Sequence, residues 1–229
     1  MKTVIITGAS GNLGKASVEK FIGEGYKVIA TVTPGKTLGF EVKGEVETYE
    51  ADLADEKSVE GVISQIISKH KTIDAALLLV GGYASGGIKE TDGAVLKKMF
   101  TLNFDTAYFV VRPLFQQMLQ QTNGGRLVFV GSRPALLAKD ANKSLGYALS
   151  KSLIFKLADA LNAAGSSSNV TASVVVPSTI DTPANRQAMP KADFDAWVKP
   201  EEIANAMAYL CSTEGNAWRE TVLRIYGRS

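Results

Sequence analysis

Seven short runs rich in Val, Ile and Leu recur along the chain. They are TVIIT (3–7), YKVIATV (26–32), VETYE (46–50), DAALLLV (74–80), GRLVFVG (125–131), VTASVVV (170–176) and TVLRIY (221–226). Several are near-continuously apolar rather than alternating, the mark of strands covered on both faces. Between them, apolar residues recur at helical spacing over 13–23, 56–69, 92–120, 147–164 and 200–212. This alternation predicts an α/β fold: seven parallel strands with helices on both faces of the sheet and right-handed crossovers. There is no internal repeat and no low-complexity linker, so one domain over 1–229 is expected. One long irregular stretch, 177–199, breaks the pattern. A loop of that length in a compact domain is predicted to be a lid or binding loop.

Composition narrows the function more than the fold. With 45% hydrophobic and 21% charged residues, the chain can build a substantial core. A formal net charge of +2 with no Lys/Arg block gives no reason to expect nucleic acid or an acidic membrane surface as partner. No apolar run reaches the ~18–20 residues of a membrane span. The N-terminal MKTVIITGAS reads as a strand entering a turn, not as a signal peptide. A single cysteine, Cys211, excludes an intramolecular disulfide and fits a cytoplasmic setting. It falls on the apolar pattern of 203–211 and is expected in the core. No metal site is predicted. His70, the one histidine, ends a Lys-rich helix tail and is expected to be solvated.

The first strand ends in TGASGNLG (7–14), and helical residues follow. Gly8 permits a tight turn, Gly11 lets backbone approach a pyrophosphate, and Gly14 lets the helix pack close to the sheet. The helix N-terminus then offers free N–H groups to phosphates. A second signal is GYALSK (146–151), which sets Tyr147 one helical turn ahead of Lys151 among apolar neighbours.

Together with Ser132 at the end of a strand, these features resemble the short-chain dehydrogenase/reductase family over nearly the whole chain. The resemblance implies a doubly wound Rossmann sheet and a nicotinamide cofactor held by Gly8, Ser10, Gly11, Asn12, Leu13 and Gly14. Asn12 stands where the family usually has glycine. "ADL" (51–53) resembles the adenine-contacting segment, with Asp52 and Leu53; Asp52 could equally cap the following helix. "VGG" (80–82) places Gly81 and Gly82 where the family usually has Asn-Ala-Gly. "PSTIDT" (177–182) resembles the segment that grips the nicotinamide carboxamide, through Pro177, Ile180 and Thr182. In the same resemblance Asn103, Ser132, Tyr147 and Lys151 form the catalytic set. Asn103 anchors a water, Ser132 holds the substrate oxygen, and Lys151 also bonds the nicotinamide ribose. Asn103 could instead cap a helix.

Carbonyl reduction needs a hydride on carbon and a proton on oxygen. A phenol of pKa near ~10 is a poor proton donor at neutral pH, and lowering it by ~3 units takes about 4 kcal/mol. An exposed i,i+4 pair supplies only about 0.2–0.5 kcal/mol. A partly buried one approaches ~4 kcal/mol at an effective dielectric of ~20. Lys151 is therefore expected to lower the Tyr147 phenol inside a solvent-poor cleft.

Within the family, IDAALLLVGGYASGG (73–87) and TIDTPANRQAMPKADFDAW (179–197) resemble the dihydropteridine reductase branch. That branch lacks the serine and asparagine that this chain keeps. The expectation is an NAD(P)-dependent oxidoreductase acting on a small-molecule carbonyl or alcohol, with pterin reduction as the alternative. A non-catalytic nicotinamide-binding sensor would have no use for Ser132, Tyr147 and Lys151 together. Met189, Phe194 and Trp197 either line a substrate pocket or pin the loop. Cofactor choice follows from ATVTPGK (30–36): no acid ends the second strand, Thr31 and Thr33 stand where it could be, and Lys36 is available to a 2′-phosphate, with Lys15 as an aid. NADP(H) is favoured over NAD(H). By the resemblance, the chain pairs through helices near 104–121 and 147–164 into a homodimer or homotetramer. Val110, Val111, Leu114 and Met118 read as surplus apolar surface for that contact.

Overall fold

The computed structural model describes residues 1–228, and the sheet they form has seven strands, all parallel. In chain order these are β1 (Thr3–Ile6), β2 (Lys27–Val32), β3 (Val46–Glu50), β4 (Ala75–Leu78), β5 (Gly125–Val130), β6 (Val170–Pro177) and β7 (Val222–Ile225). Across the sheet the order is β3-β2-β1-β4-β5-β6-β7. The winding reverses between β1 and β4, so loops after the C-terminal strand ends gather at that switch point. Each apolar run became a strand, and the most continuous ones, such as Thr3–Ile6 and Val170–Pro177, are buried throughout.

The helices are α1 (Asn12–Gly23), α2 (Glu56–His70), α3 (Gly93–Phe100), α4 (Thr106–Leu119), α5 (Arg133–Leu136), α6 (Ala138–Ala141), α7 (Leu145–Gly165), α8 (Pro183–Ala188) and α9 (Pro200–Cys211). On one face, Val59, Ile63, Val110, Leu114 and Ile154 of α2, α4 and α7 pack with Ile5, Ile29 and Leu127. On the other, Val18, Phe21, Ile203 and Met207 of α1 and α9 pack with Val4, Val28 and Val128. Each such side chain contributes about 1.5–3 kcal/mol on burial. No helix among the described residues is long and apolar enough to cross a membrane.

Several expectations are corrected. The single helix expected over 92–120 is interrupted by a π turn, Thr101–Asp105, that joins α3 to α4. The stretch 177–199 is not irregular throughout: it contains α8 and a short 3-10 turn, Phe194–Ala196. His70 is not solvated. Its side chain is 7% exposed, and Nε2 lies 3.2 Å from Glu47, which also binds Lys27 and Lys69. Val110, Val111, Leu114 and Met118 face the sheet and are fully buried, so they are no surplus surface. The apolar side chains left exposed on α4 and α7 are instead Tyr108, Leu149 and Leu153. Cys211 is in the core as expected, and burial pushes its thiol up to about 12.

Candidate active site

The glycine turn owes its shape to two positions. Gly8 has φ +64°, a left-handed conformation that costs other residues about 1–2 kcal/mol. At Gly14 a Cβ would lie 2.7 Å from the backbone of Ala9 and closer still to the Gly8 carbonyl. Any side chain there would push α1 off the turn. Gly11 caps α1 with no side-chain bond, and no acidic residue stands in the first turn. The first N–H groups of α1, from Asn12 and Leu13, therefore have no side-chain acceptor. Ser10 and Asn12 are exposed, while Leu13 packs against the α1/α9 core.

The turn after β2 is Thr33-Pro34-Gly35-Lys36, closed by Lys36 N–H donating to Thr33 O at 3.0 Å. Thr33 and Lys36 are both exposed. Sequence reasoning missed the acid beside them. The last residue of β3, Glu50, pairs with Val32 and accepts from Gly35 N–H at 2.8 Å. After β3, Asp52 does not cap α2; Asp55 does, accepting from Lys57 N–H. Asp52 instead accepts from Ala54 N–H and stays exposed, and Leu53 is buried beside it.

Beyond β4, the chain passes directly over the central cluster. Asn103 is not a helix cap: it sits inside the π turn, buried. Its Oδ1 accepts from Gly82 N–H and its Nδ2 donates to Gly82 O, both at 3.0 Å. Nδ2 also donates to Ser150 Oγ at 3.1 Å, and Ser150 in turn donates to the Tyr147 carbonyl. One amide thus ties the β4 loop to α7. A Cβ at Gly81 would come 2.7 Å from Asn103 Oδ1 and 3.0 Å from Lys151 Nζ. This close approach is why the segment carries no side chain there.

Lys151 is buried and donates to Val130 O at 2.9 Å. Burial pushes its ammonium down to about 8. The Tyr147 phenol is pushed up, not down as expected: burial raises it, the Ser132 hydroxyl opposes this, and Tyr83 adds to it. Lys151 donates to the Val130 carbonyl rather than to the phenol, so neither shift is offset by the other group. Ser132 begins α5 without capping it, and its Oγ is buried without a hydrogen-bond partner. Tyr147 and Ser132 open onto one cleft of about 750 Å³, shared with Tyr83, Ser144, Asn185 and Met189.

The segment after β6 forms the far wall of that cleft, and Pro177 and Ile180 line it. Ile180 bridges Val198, its carbonyl accepts from Asn185, and Thr182 caps α8 by accepting from Asn185 N–H. The three loop residues divide their roles. Met189 lines the cleft, whereas Trp197 is buried and packs at a tilt against Phe194, with centroids 4.9 Å apart, pinning the loop. Tyr83 is the other residue that sequence reasoning missed. It is 65% exposed, yet held edge-on to Tyr147 with centroids 5.1 Å apart. Its position just after Gly81-Gly82 was the available signal.

The family model for short chain dehydrogenases matches residues 2–193. The chain belongs to the short-chain dehydrogenase family. It is 28% identical to an acetoacetyl-CoA reductase of Acinetobacter over 93% of this chain and 92% of that protein. It is likewise 28% identical to a dihydropteridine reductase of Dictyostelium discoideum, over 90% of this chain and 86% of that protein. The solved structure of ElxO with NADP bound superimposes with a TM-score of 0.90 at 21% identity, over 99% of this chain and 97% of that one. As a short-chain dehydrogenase, the protein is an oxidoreductase on a Rossmann-type sheet, with the glycine turn and the Tyr147 cleft on the same sheet edge.

Proposed function

We propose that this short-chain dehydrogenase reduces a small-molecule carbonyl with a nicotinamide dinucleotide, and oxidises the corresponding alcohol in reverse. The observation that carries this reading is Ser132. Its buried Oγ closes no well-formed hydrogen bond within the protein, yet lies near enough to the Tyr147 phenol to act on it, in the cleft that both line; a buried hydroxyl left so costs about 1–3 kcal/mol. A substrate oxygen placed there satisfies it.

The residues present fit the dinucleotide. The turn at Gly8–Gly14 is a cradle that a Cβ at Gly14 would fill, and uncapped N–H groups open α1 beside it. Gly8, Ser10, Gly11, Asn12, Leu13 and Gly14 would hold the pyrophosphate end, Asp52 and Leu53 the adenine, and Pro177, Ile180 and Thr182 the carboxamide. When bound, the reduced nicotinamide supplies the hydride. The chain's own residues handle the proton. Ser132 Oγ donates to the substrate oxygen and orients it. Tyr147 Oη, kept protonated by burial, donates its proton to that oxygen as charge develops there. Lys151, cationic below about pH 8, would hold the nicotinamide ribose, and its charge one helical turn from Tyr147 then favours the phenolate left behind. Asn103 acts by position, holding the Gly82 loop and α7 together.

Lys36 favours a 2′-phosphate, and Glu50 of β3, bonded to the same turn, opposes it. We propose NADPH as the preferred cofactor, with NADH also accepted. Pterin reduction is the second reading, and Tyr83 favours it: its exposed ring offers a face to a flat heterocycle beside Tyr147. The test follows reduced-nicotinamide absorbance with ketones, aldehydes, dicarbonyls and quinonoid dihydropterin. Pterin turnover with all carbonyls silent would overturn the carbonyl reading.

A further inference from the structure

A second serine in the cleft has no work to do within the protein. Ser144 is the N-cap of α7, where a serine hydroxyl ordinarily accepts a helix N–H. Its backbone is neither extended nor helical, with φ −156° and ψ 57°, and the side chain caps nothing. The residue is 2% exposed, and its hydroxyl has no hydrogen bond among the described residues. It lines the cleft that holds Ser132 and Tyr147. It also lies three residues before Tyr147, on the same side of α7.

The position is held firmly from outside the helix. Gly86 N–H donates to Lys143 O at 2.9 Å, and Leu145 N–H donates to Gly86 O at 2.8 Å. These bonds fasten the loop after β4 to the start of α7 on both sides of Ser144. Gly86 can make this approach because it sits at φ +127°. Backbone order is therefore spent on a hydroxyl that serves no cap. The cleft presents two nearly buried serines beside one phenol, and neither hydroxyl caps the helix it precedes.

We propose that Ser144 is a specificity residue that binds a second oxygen of the substrate. The substrate class is then a carbonyl compound with another oxygen on the adjacent carbon or the one beyond, such as a vicinal or 1,3-dicarbonyl. Ser132 and Tyr147 take the reacting oxygen; Ser144 donates to the other. This inference rests on the carbonyl-reduction reading.

The test compares 2-butanone, 2,3-butanedione and ethyl acetoacetate with wild type, Ser144→Ala and Ser144→Thr. Ser144→Ala removes no bond within the protein, so its melting temperature should match wild type. Its kcat/KM for one or both dioxygenated substrates is expected to fall about 10-fold, the worth of one hydrogen bond. Turnover of 2-butanone should hold, and Ser144→Thr should restore the lost discrimination. An equal effect on all three substrates, or none on any, would overturn the role of Ser144. Silence of wild type toward every carbonyl would instead overturn the parent reading.

Discussion

Burial displaces Tyr147 and Lys151 in opposite senses, and this gives the cleft its pH dependence. The phenol is raised, so it keeps its proton well into alkaline solution. The ammonium is lowered to about 8, so it is the group that titrates first as pH rises. Carbonyl reduction is expected to be steady below pH 8 and to decline above it, as Lys151 loses the charge that supports phenolate. A rate profile flat to pH 10 would contradict this. For stability the sign is reversed. Between about 8 and the unfolded value near ~10.4 the unfolded chain binds the extra proton, so this group's contribution rises with pH. Glu50 governs a separate property. Glu50→Gln is expected to shift kcat/KM toward NADPH over NADH by about 5-fold, from loss of one nearby like charge. That Ser132 and Tyr147 share a cleft was legible in the sequence, because one lies at a strand end and the other opens the next long helix. Glu50 was not: it reaches the Gly35 turn only through the pairing of β2 with β3, which residue order does not display.

Among the elements, α1 and β3 make claims that can be checked without any substrate. Gly14→Ala drives a methyl into the backbone of the preceding turn and is expected to cost about 1–3 kcal/mol and to abolish dinucleotide binding. Gly23→Ala, in the same helix but with nothing within 4 Å of its Cβ, should leave stability equal or higher by up to ~1 kcal/mol. Thermal melts and cofactor titration of the two variants decide this. On β3, Glu47 binds Lys27 and Lys69 at 2.7 Å and His70 at 3.2 Å, tying the edge strand to the end of α2. The lysine hydrogen bonds hold its carboxyl at about 2, so its contribution is complete above the unfolded value and lost as pH falls toward 2. Glu47→Gln is expected to lower the neutral-pH melting temperature by about 2–4 °C, with the gap to wild type closing in acid. An unchanged melt at pH 7 would show the node to be idle. The strands and main helices followed from hydrophobic period alone. The π turn at Thr101–Asp105 did not, because TLNFD continues the helical pattern, and only the fit of Asn103 beneath Gly82 reveals the extra residue.

The whole molecule places its chemistry on one edge of the sheet. The turns after β1, β2 and β3 and the cleft after β4, β5 and β6 all lie at C-terminal strand ends, around the reversal between β1 and β4. That arrangement could be read from alternation and order. The closure of the far wall could not, since Trp197 turns inward by packing against Phe194 and the α8 segment is too short to announce itself. Self-association, read first from residues that prove to be core, rests now on Tyr108, Leu149 and Leu153. We expect a homodimer or homotetramer in sedimentation, reduced to monomer by Leu149→Lys with Leu153→Lys; a monomeric wild type would refute it. The central claim is that Ser132 and Tyr147 act together on a carbonyl oxygen. Its most direct test is reduced-nicotinamide oxidation by wild type, Ser132→Ala and Tyr147→Phe on one dicarbonyl substrate, with cofactor affinity measured alongside. The expected result is a kcat loss of about 10²-fold or more in each variant while cofactor affinity is retained. Variants that turn over the carbonyl as fast as wild type would contradict the account.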